Sequence, residues 1–344
     1  MFKFFNRNKF TNHIPKQNNV LLIETNGCHG EVISAYIKYF EQLNFNVYVL
    51  ASNVIKKENP FCRLNIKNLF YSKFKNFAKI LKSEYLNRYD HIFVMSSVNY
   101  TFGEKPVTEL YPDLQQHKSV FYVHHNIAYI EKYFQNTDKS HNIMLGQFPD
   151  TVYLNPHLFG EYTIPSKSEP TTFVSVGGIN PRRKNHTMLL NAIEELHDKN
   201  YNFQILVVGS GSIKNLNDKI KQHLKILGHL NYDKMYDTVE RAHFFLPLLD
   251  ENNPDHERYI KTQVTGSAQL IYGFTKIPVI HKQFAKFYRF DAKNSVPYEN
   301  LAAGMEQAIL MSNSDYDNYI FEMKKTATRI KSESLKNLAK ILNI

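Results

Sequence analysis

The chain has 344 residues, of which 43% are hydrophobic and 14% aromatic, and its formal net charge is +10. This length favours two domains, and this composition excludes a disordered protein. Two cysteines are too few for a disulfide framework or a zinc cage, no apolar run reaches the roughly 20 residues of a membrane span, and the N-terminus lacks a signal-peptide core. We therefore expect a cytoplasmic protein, attached at most peripherally to the inner face of the membrane.

A polar lead-in over residues 1–18 precedes a pattern typical of a βαβ unit. Asn19–Ile23 is a short apolar run of the kind found in buried parallel strands. A helix with its apolar stripe between Val32 and Phe40 follows, and Phe45–Leu50 is a second strand. This order predicts a parallel sheet covered by helices.

The loop between the first strand and its helix carries Gly27, Gly30, His29 and Glu31. Glycines there allow a ligand to approach the backbone, and the two polar side chains are candidates for acid–base chemistry. The alternative is a tight turn with two residues that cap a helix. The loop lacks the G-x-G-x-x-G spacing of a dinucleotide site.

The positive charge is concentrated near the N-terminus, because Met1–Asp90 hold 14 Lys and Arg against 6 Asp and Glu. From Leu69 onward the apolar residues fit helical spacing with lysines between them, which predicts a basic amphipathic helix. Through residues 54–88 such a surface suits an anionic membrane. Alternatively, the apolar face packs on the sheet and the lysines are solvated. No nucleic-acid-binding motif is present, and we expect no nucleic-acid partner.

Three further strands are predicted in the first half: His91–Met95, Ser119–Val123 and Thr151–Leu154. The second of them runs directly into His124 and His125. In parallel sheets, ligands bind beyond the carboxyl ends of the strands, so these histidines are well placed for chemistry. A linker is predicted at residues 161–170, which contain two prolines.

The second half repeats this α/β pattern, with a polar or glycine-rich loop after each strand. Phe173–Val176 leads into Gly177 and Gly178, followed by Arg182, Arg183, Lys184 and a helix. The later strands and loops are Phe203–Val208 with Gly209-Ser210-Gly211, a helix marked by Leu216, Ile220 and Leu224, Lys225–Leu227 with Gly228-His229-Leu230, Phe244–Leu249 with the polar loop Asp250–Tyr259, and a last strand, Ile277–Ile280.

Thr265, Gly266 and Ser267 open a predicted helix that runs through Tyr272. Backbone N–H groups at a helix N-terminus hold anionic oxygens, and Arg183 or Lys184 can reach the same oxygens. Each glycine loop alone is weak evidence, because a simple turn is an alternative explanation for it. Their succession along one sheet, beside these cations, predicts a diphosphate site.

At this point the second half resembles the donor-binding domain of GT-B glycosyltransferases, in particular family 4, the glycosyl transferases of group 1. The resemblance lies in FVSVGGINPRRKNHTMLLNAI, ILVVGSGS, ILGHL, LPLLDE and TGSAQLIYGFTKIPVI. It implies two Rossmann-like, doubly wound parallel-sheet domains that face a cleft. The implied boundaries are an acceptor-side domain at 19–160, a nucleotide-sugar donor domain at 171–311 and a helical segment at 312–344.

The resemblance also implies roles for individual residues. Lys184 matches the lysine on the donor diphosphate, and Arg183 stands in for an arginine whose place is taken by Gly178. His125, or else His124, matches the histidine that faces the transferred sugar. The remaining matches are to the diphosphate loop, the base-binding segment and the loop beneath the phosphates: Gly209 and Gly211, His229 and Leu230, and Thr265, Gly266 and Ser267, respectively.

The family's two glutamates, eight residues apart, are missing from this chain, since Tyr259–Ile271 contains no glutamate. Gln269 is then the candidate for the ribose, and Asp255 or Glu257 for the sugar. An inverting enzyme needs a base, for which His29, Glu31 and His125 are candidates, whereas a retaining enzyme needs none. Retention of the configuration at the anomeric carbon, which is typical of the family, is favoured.

We accordingly expect a metal-independent hexosyltransferase that needs no cofactor and acts on a nucleotide sugar, with UDP-sugar favoured. The expected acceptor is a surface glycan or a lipid-linked glycan, as in polysaccharide or lipopolysaccharide biosynthesis. The alternatives are a catalytically silent partner module of the same fold, which the missing glutamates allow, and a nucleotide-sugar epimerase.

Overall fold

The computed structural model describes residues 7–213 and 216–344, which form two compact units. Unit 1 comprises the described residues up to Gly160 together with Lys331–Ile344, and unit 2 is Glu161–Ile330. Part of the predicted lead-in, residues 1–6, lies outside the described residues. A short helix occupies part of the remainder of that lead-in.

Unit 1 is built on a seven-stranded sheet whose neighbouring strands are all parallel, in the order β3-β2-β1-β4-β7-β8-β9. A separate antiparallel pair, β5-β6, lies outside it. The strands are β1 (Asn19–Glu24), β2 (Asn46–Ser52), β3 (Leu69–Ser72), β4 (His91–Val94), β5 (Val98–Asn99), β6 (Lys105–Pro106), β7 (Val120–His124), β8 (Asn142–Met144) and β9 (Val152–Tyr153). The helices are α1 (Arg7–Thr11), α2 (Gly30–Gln42), α3 (Asn53–Glu58), α4 (Phe77–Ile80), α5 (Ser83–Leu86), α6 (Val107–Leu110) and α7 (Ala128–Tyr133), with 3₁₀ turns at Phe74–Asn76, Pro112–Gln116 and Lys139–His141.

Aromatic side chains on the central strands hold helix α2 against this sheet. The ring of Phe93 lies 4.9 Å from that of Phe40 on α2 and 4.5 Å from that of Phe121, centroid to centroid. All residues of β1 are buried, as expected for a central strand with both faces covered. The helical stripe between Val32 and Phe40 is therefore confirmed as the face that packs on the sheet.

The predicted amphipathic helix from Leu69 onward is wrong. Leu69–Ser72 forms the edge strand β3, which pairs with Val49–Ser52 of β2, and only isolated helical turns follow it. The backbone N–H and C=O groups of this segment form hydrogen bonds with β2. The same groups cannot also form the hydrogen bonds of a continuous helix. The lysines remain on the surface, as Lys73, Lys75 and Lys79 are exposed.

Unit 2 has a six-stranded sheet whose neighbouring strands are likewise all parallel, in the order β12-β11-β10-β13-β14-β15. Its strands are β10 (Thr171–Val176), β11 (Phe203–Val208), β12 (Leu224–Gly228), β13 (Phe244–Phe245), β14 (Ile277–His281) and β15 (Val296–Tyr298). Its helices are α8 (His186–Asp198), α9 (Asp218–His223), α10 (Tyr232–Arg241), α11 (Pro254–Lys261), α12 (Gly266–Gly273), α13 (Lys282–Phe287), α14 (Leu301–Leu310) and α15 (Asn313–Leu342), the last of which ends in unit 1. The predicted α/β class with two parallel sheets is confirmed.

Four details of the sequence prediction are wrong. Ile277–Ile280 is not the last strand, because Val296–Tyr298 pairs in parallel with β14 at the sheet edge. The polar loop from Asp250 is partly helical, since Asn253 caps α11 and Pro254 begins it. Leu224 belongs to β12 rather than to the preceding helix, and the short strand β8 was not predicted.

None of the helices in the described part of the chain has both the length and the apolar character needed to cross a bilayer.

Candidate functional site

The loops after β10, β11 and β12 are in direct backbone contact at the carboxyl edge of the unit 2 sheet. The Gly177 N–H donates to the Val208 carbonyl at 2.8 Å, and the Gly209 N–H donates to the Gly228 carbonyl at 2.9 Å. A Cβ on Gly209 would overlap the Gly177 carbonyl, and one on Gly211 would lie 2.7 Å from the Ile179 carbonyl. Only glycine fits at these two positions, so the three strand ends form one closely packed surface.

Lys184 extends beneath this surface into the interior of unit 2. Its side chain is buried, with 4% of its surface exposed. The Nζ donates to the carbonyl of Pro247 at 2.8 Å and lies 3.4 Å from the hydroxyl oxygen of Ser267. Among the described residues, it has no carboxylate partner. Burial therefore lowers the pKa of Lys184 to about 7, because the charged amine loses its hydration without gaining an opposite charge.

The backbone on both sides of Lys184 is fixed by hydrogen bonds. Its own N–H donates to the Asn180 carbonyl at 3.0 Å, and the Asn185 N–H donates to the Leu248 carbonyl at 2.9 Å. The Asn185 side chain caps α8 and also donates to the carboxylate of Asp250 at 2.6 Å. The loop before α8, the loop after β13 and the start of α8 thus fix the backbone from which the Lys184 side chain extends.

Helix α12 begins beside this amine. Its N-cap Thr265 accepts a hydrogen bond from the Ser267 N–H at 3.3 Å, and the Thr265 N–H donates to the Tyr288 hydroxyl at 3.1 Å. Gly266 is exposed, with no atom within 4 Å of the place of a Cβ. Gln269 is buried one turn further on, and within the described residues its Oε1 has no hydrogen-bond partner. The positive end of the helix dipole and the Lys184 amine therefore meet at Ser267.

The other residues predicted for the site in unit 2 lie either near Ser267 or closer to the protein surface. Arg183 is exposed, and a Cβ on Gly178 would lie 3.9 Å from its Cδ, so its side chain passes over Gly178. His229, which is exposed, and Leu230, which is half-buried, follow the end of β12. The structure brings Gly178, Arg183, Lys184 and Ser267 into neighbouring positions.

Asp255 and Glu257, the candidates for the sugar, are both engaged with cations. The carboxylate of Asp255 lies 3.8 Å from Arg182, and that of Glu257 lies 2.5 Å from Lys261. Both pairs are largely solvent-exposed, so either carboxylate can exchange its partner at little cost.

Sequence reasoning missed two residues of α11 that join the Lys184 loop to the loop after β13. The buried His256 accepts a hydrogen bond from the Asp250 N–H at its Nδ1, at 2.9 Å. Burial lowers the pKa of His256, which keeps the ring neutral. Arg258 donates to the Arg182 carbonyl at 2.8 Å. The polar composition of residues 250–259 was the only signal for both.

A second group of polar side chains lies at the carboxyl edge of the unit 1 sheet. His125 Nε2 is 2.9 Å from the Tyr100 hydroxyl, which is itself 2.9 Å from the Tyr129 hydroxyl. The rings of His29 and His125 are stacked, with 5.1 Å between centroids and 28° between planes. The two histidines predicted from separate strand ends, His29 and His125, thus meet, and the tyrosines complete the group.

His29 occupies the N-cap position of α2 in the left-handed region, at φ 62°, with its Nδ1 3.7 Å from the Glu31 carboxylate. Burial lowers the pKa of His29, but the Cys28 side chain and the Glu31 carboxylate raise it by more, so the net direction is upward. Glu31 is partly exposed in the first turn of α2, where a negative charge is favourable.

His124 differs from its neighbour in having no exposure at all. Its Nε2–H donates to the amide oxygen of Asn142 at 3.0 Å, its ring packs edge-on against Phe134, and burial lowers the pKa of His124 to about 4. Within the described residues, its Nδ1 has no partner. These contacts make His124 a neutral core residue, and of the two histidines His125 is the one that is partly exposed.

One buried acid, Glu24, was not predicted at this edge. Its carboxylate accepts hydrogen bonds from the Ser96 hydroxyl at 2.6 Å and from the Asn26 N–H at 2.7 Å. Burial raises the pKa of Glu24 to about 7 against the effect of these bonds. Asn26 in turn accepts from the Tyr100 N–H at 2.9 Å, which connects this acid to the group around His125.

Within the part of the chain that is described, no three His, Cys, Asp or Glu side chains are grouped as metal ligands.

Part of the second half of the chain matches a known family. Residues 170–254 match the family model described as Glycosyl transferases group 1. No curated protein sequence matches the chain. The segment that matches contains the Gly177, Lys184 and Gly209 loops, so the predicted resemblance to a group 1 donor domain is confirmed.

Solved structures match almost the whole chain at low sequence identity. A glycosyltransferase from Rickettsia africae has a TM-score of 0.58 at 12% identity, covering 95% of this chain and 99% of its own. An alpha-glucosyltransferase in complex with UDP-glucose and DNA has a TM-score of 0.57 at 12% identity, covering 93% and 95%. AviGT4, a glycosyltransferase of avilamycin A biosynthesis, has a TM-score of 0.54 at 10% identity, covering 95% and 99%. The chain has the GT-B fold of these enzymes.

Proposed function

We propose that this chain transfers a hexose from a nucleotide sugar, with a UDP-sugar as the favoured donor, to a glycan or lipid-linked acceptor. Glycosyl transfer as such is supported by the match of residues 170–254 to the group 1 family and by the fold. One of the similar structures contains UDP-glucose, which favours a uridine nucleotide as donor.

The observation that carries the proposal is the buried Lys184 amine beside the first turn of α12. Its partners, the Pro247 carbonyl and the Ser267 hydroxyl, are neutral, although a buried ammonium is stable only with an opposite charge nearby. A diphosphate at the α12 N-terminus supplies that charge, and the helix dipole favours it independently. In the proposed reaction the Lys184 amine and the N-terminus of α12 together compensate the negative charge of the diphosphate. The proposed reaction therefore needs no metal.

In the proposed reaction an acceptor hydroxyl attacks the anomeric carbon, and the bond from that carbon to the diphosphate oxygen breaks. The charge that develops on the leaving diphosphate is stabilised by Lys184 and the N–H groups of α12. In a retaining reaction, which we favour, the departing phosphate accepts the hydroxyl proton. In an inverting reaction the proton goes to His125 or Glu31, since the raised pKa of His29 keeps its ring protonated.

A nucleotide-binding screen tests this function. Wild-type protein is expected to show an increased melting temperature with UDP or a UDP-sugar, and Lys184→Met is expected to lose that increase. Lys276→Met is the matched control: burial also lowers the pKa of Lys276 to about 7, but its Nζ bonds to the Glu240 and Ala242 carbonyls at the end of α10. Failure of every nucleoside diphosphate to stabilise the wild type would contradict the proposal and favour a silent partner module.

Turnover then separates the two enzymatic alternatives. A transferase releases UDP in proportion to the acceptor that is added, whereas an epimerase converts its nucleotide sugar without an acceptor.

We further propose a cytoplasmic location with peripheral attachment to an anionic membrane surface through residues 54–88. The support is the excess of basic residues there and the exposure of Lys73, Lys75 and Lys79, none of which has a carboxylate partner among the described residues. Exposed lysines without carboxylate partners are attracted to anionic lipid headgroups.

A further inference from the structure

Tyr100 and Tyr129 have no role in the reaction derived above, yet both contact the group that includes His125. Tyr100 lies in the loop after β5, and Tyr129 lies in the first turn of α7. Their hydroxyls are 2.9 Å apart, and the Tyr100 hydroxyl is also 2.9 Å from His125 Nε2. The rings of Tyr100 and Tyr129 lie 5.9 and 5.4 Å from the His125 ring, centroid to centroid.

We propose that Tyr100 and Tyr129 form a two-hydroxyl chain that hydrogen-bonds His125 Nε2 in both protonation states of the ring and so holds the ring in the orientation in which it faces the acceptor. The inference rests on the proposed function, since it takes the ligand that His125 faces to be a sugar acceptor. Tyr100 and Tyr129 are positioning residues in this scheme, because they act through His125.

The chain works because a phenol hydroxyl is both a donor and an acceptor. When Nε2 carries no proton, Tyr129 donates to Tyr100 and Tyr100 donates to Nε2. When Nε2 is protonated, it donates to the Tyr100 oxygen, and Tyr100 turns its own proton to Tyr129. Both hydrogen bonds of the chain persist in either state, so the His125 ring keeps its contact with Tyr100 whether or not Nε2 is protonated.

The loop that carries Tyr100 is held in place independently of this chain. The Tyr100 N–H donates to the Asn26 side chain at 2.9 Å, and the neighbouring Asn99 side chain donates to the Thr25 hydroxyl at 2.9 Å. Asn26 is bound in turn by the buried Glu24. The phenol of Tyr100 is therefore presented to His125 from a fixed backbone, although 37% of its surface is exposed.

The charged and titratable groups around the chain come from three segments. His29, Cys28 and Glu31 belong to the β1–α2 loop and α2, Glu104 precedes β6, and Lys132 and Tyr133 lie on α7. Burial raises the pKa of Tyr100 and of Tyr129 above the usual range, so both phenols keep their protons at neutral pH. The two neutral hydroxyls can therefore act as both donors and acceptors beside His125.

Conservative substitutions on the full-length protein test the chain. Tyr100→Phe removes the partner of Nε2, and Tyr129→Phe removes the far end. Tyr133→Phe is the matched control, because Tyr133 lies on the same helix but its hydroxyl donates to the Glu104 carbonyl at 3.1 Å. The readout is the imidazole ¹⁵N spectrum across pH 5–9, with His125→Gln used to assign the His125 signals.

The Nε2 signal of His125 is expected to move in Tyr100→Phe, to move less in Tyr129→Phe and to stay unchanged in Tyr133→Phe. For transfer, kcat/KM of Tyr100→Phe is expected to fall about tenfold, the value of one hydrogen bond to a charged group, with the KM for the donor unchanged and the pH profile altered. An Nε2 signal in Tyr100→Phe that coincides with the wild type throughout this pH range overturns the inference.

The spectrum keeps this inference distinct from the proposed function. A shifted Nε2 signal in a protein that transfers no sugar supports the chain and contradicts the transferase. If Tyr100→Phe does not fold, as shown by circular dichroism, an unchanged Nε2 signal in folded Tyr129→Phe overturns the inference and a shifted one supports it.

Discussion

The carbonyl oxygen of Gly177 occupies the place where a side chain on Gly209 would begin. Gly209→Ala is therefore expected to lower the free energy of unfolding by about 3 kcal/mol, at the upper end of the cost of an added methyl in a packed region. The same change is expected to abolish nucleotide binding, because it separates the ends of β10 and β11. Urea unfolding and a UDP titration measure the two effects.

Gly228→Ala is the control for this change. Gly228 has a positive φ of 69° but no atom within 4 Å of the Cβ position, so only backbone strain of about 1–2 kcal/mol is expected. Equal losses of stability in the two variants would show that contact with Gly177 does not limit the residue at position 209.

The affinity for UDP is expected to fall as the pH rises above 7. Free Lys184 has a pKa of about 7, and a bound diphosphate raises that pKa, so binding above pH 7 must first restore the proton. The loss approaches tenfold per pH unit between pH 7.5 and 9, where the terminal phosphate no longer titrates. Calorimetry in buffers of different ionisation enthalpy measures the affinity and the uptake of up to one proton. An affinity that does not change over this range would contradict the role given to Lys184.

The stability of the ligand-free protein depends on the same amine with the opposite sign. The folded-state pKa of Lys184, about 7, lies below the unfolded value of roughly 10.4, so between these values the unfolded chain binds more protons. This lysine therefore contributes stability that increases with pH in that window. From pH 7.5 to 9, the unfolding free energy of the wild type is expected to rise relative to that of Lys184→Met by about 1.4 kcal/mol per pH unit.

Urea unfolding at several pH values measures this slope. Lys276→Met serves as a positive control, since burial lowers the pKa of Lys276 to about 7 as well and predicts a slope of the same sign. Parallel stability curves for wild type and Lys184→Met would indicate that the buried amine keeps an ordinary pKa.

Replacement of Lys73, Lys75 and Lys79 by glutamate is expected to weaken binding to vesicles of phosphatidylglycerol and phosphatidylcholine on the order of a hundredfold. The reason is the loss of about 1 kcal/mol of attraction for each lysine near an anionic surface. Vesicle co-sedimentation at 0.1 M salt provides the measurement, and neutral phosphatidylcholine vesicles are expected to bind neither protein.

A matched charge reversal in unit 2 is expected to leave binding intact. The control replaces three exposed lysines, Lys225, Lys234 and Lys293. Similar losses from both triple variants would show that overall charge, not the basic segment, drives association with the vesicles.

Periodic burial was the part of the fold that the sequence predicted well. The apolar stripe of α2 and the uninterrupted run Phe203–Val208 each reflect one geometric requirement, a buried face or a fully covered strand, and β11 has the predicted bounds. The structure of Leu69–Ser72 was predicted wrongly because a segment of four residues fits both the helical and the strand period. Its pairing with β2 is what makes it a strand. That pairing lies outside the local sequence.

The sequence predicted single residues of the candidate site, and it predicted that Lys184 lies near the Thr265 helix start, but it predicted few of the other contacts. Lys184 and the Thr265 helix start were selected by composition, and their roles in donor binding stay predictions. The burial of Lys184 against Pro247 joins residues 63 positions apart, and the Tyr100–His125–Tyr129 contacts span 25 and 29 positions. No local pattern encodes such contacts, which arise when the strand ends come together.

The burial of Lys184 also affects which anions the proposed site would bind. A lysine on the surface keeps its charge and attracts any anion nearby, whereas this amine loses much of its charge until the negative charge of a ligand lies beside it. Inorganic phosphate or sulfate that stays hydrated outside gains little from it. An anion that extends as far as the Lys184 amine is expected to restore its charge and gain the full interaction, so we expect this site to select anions by their length before it selects them by charge.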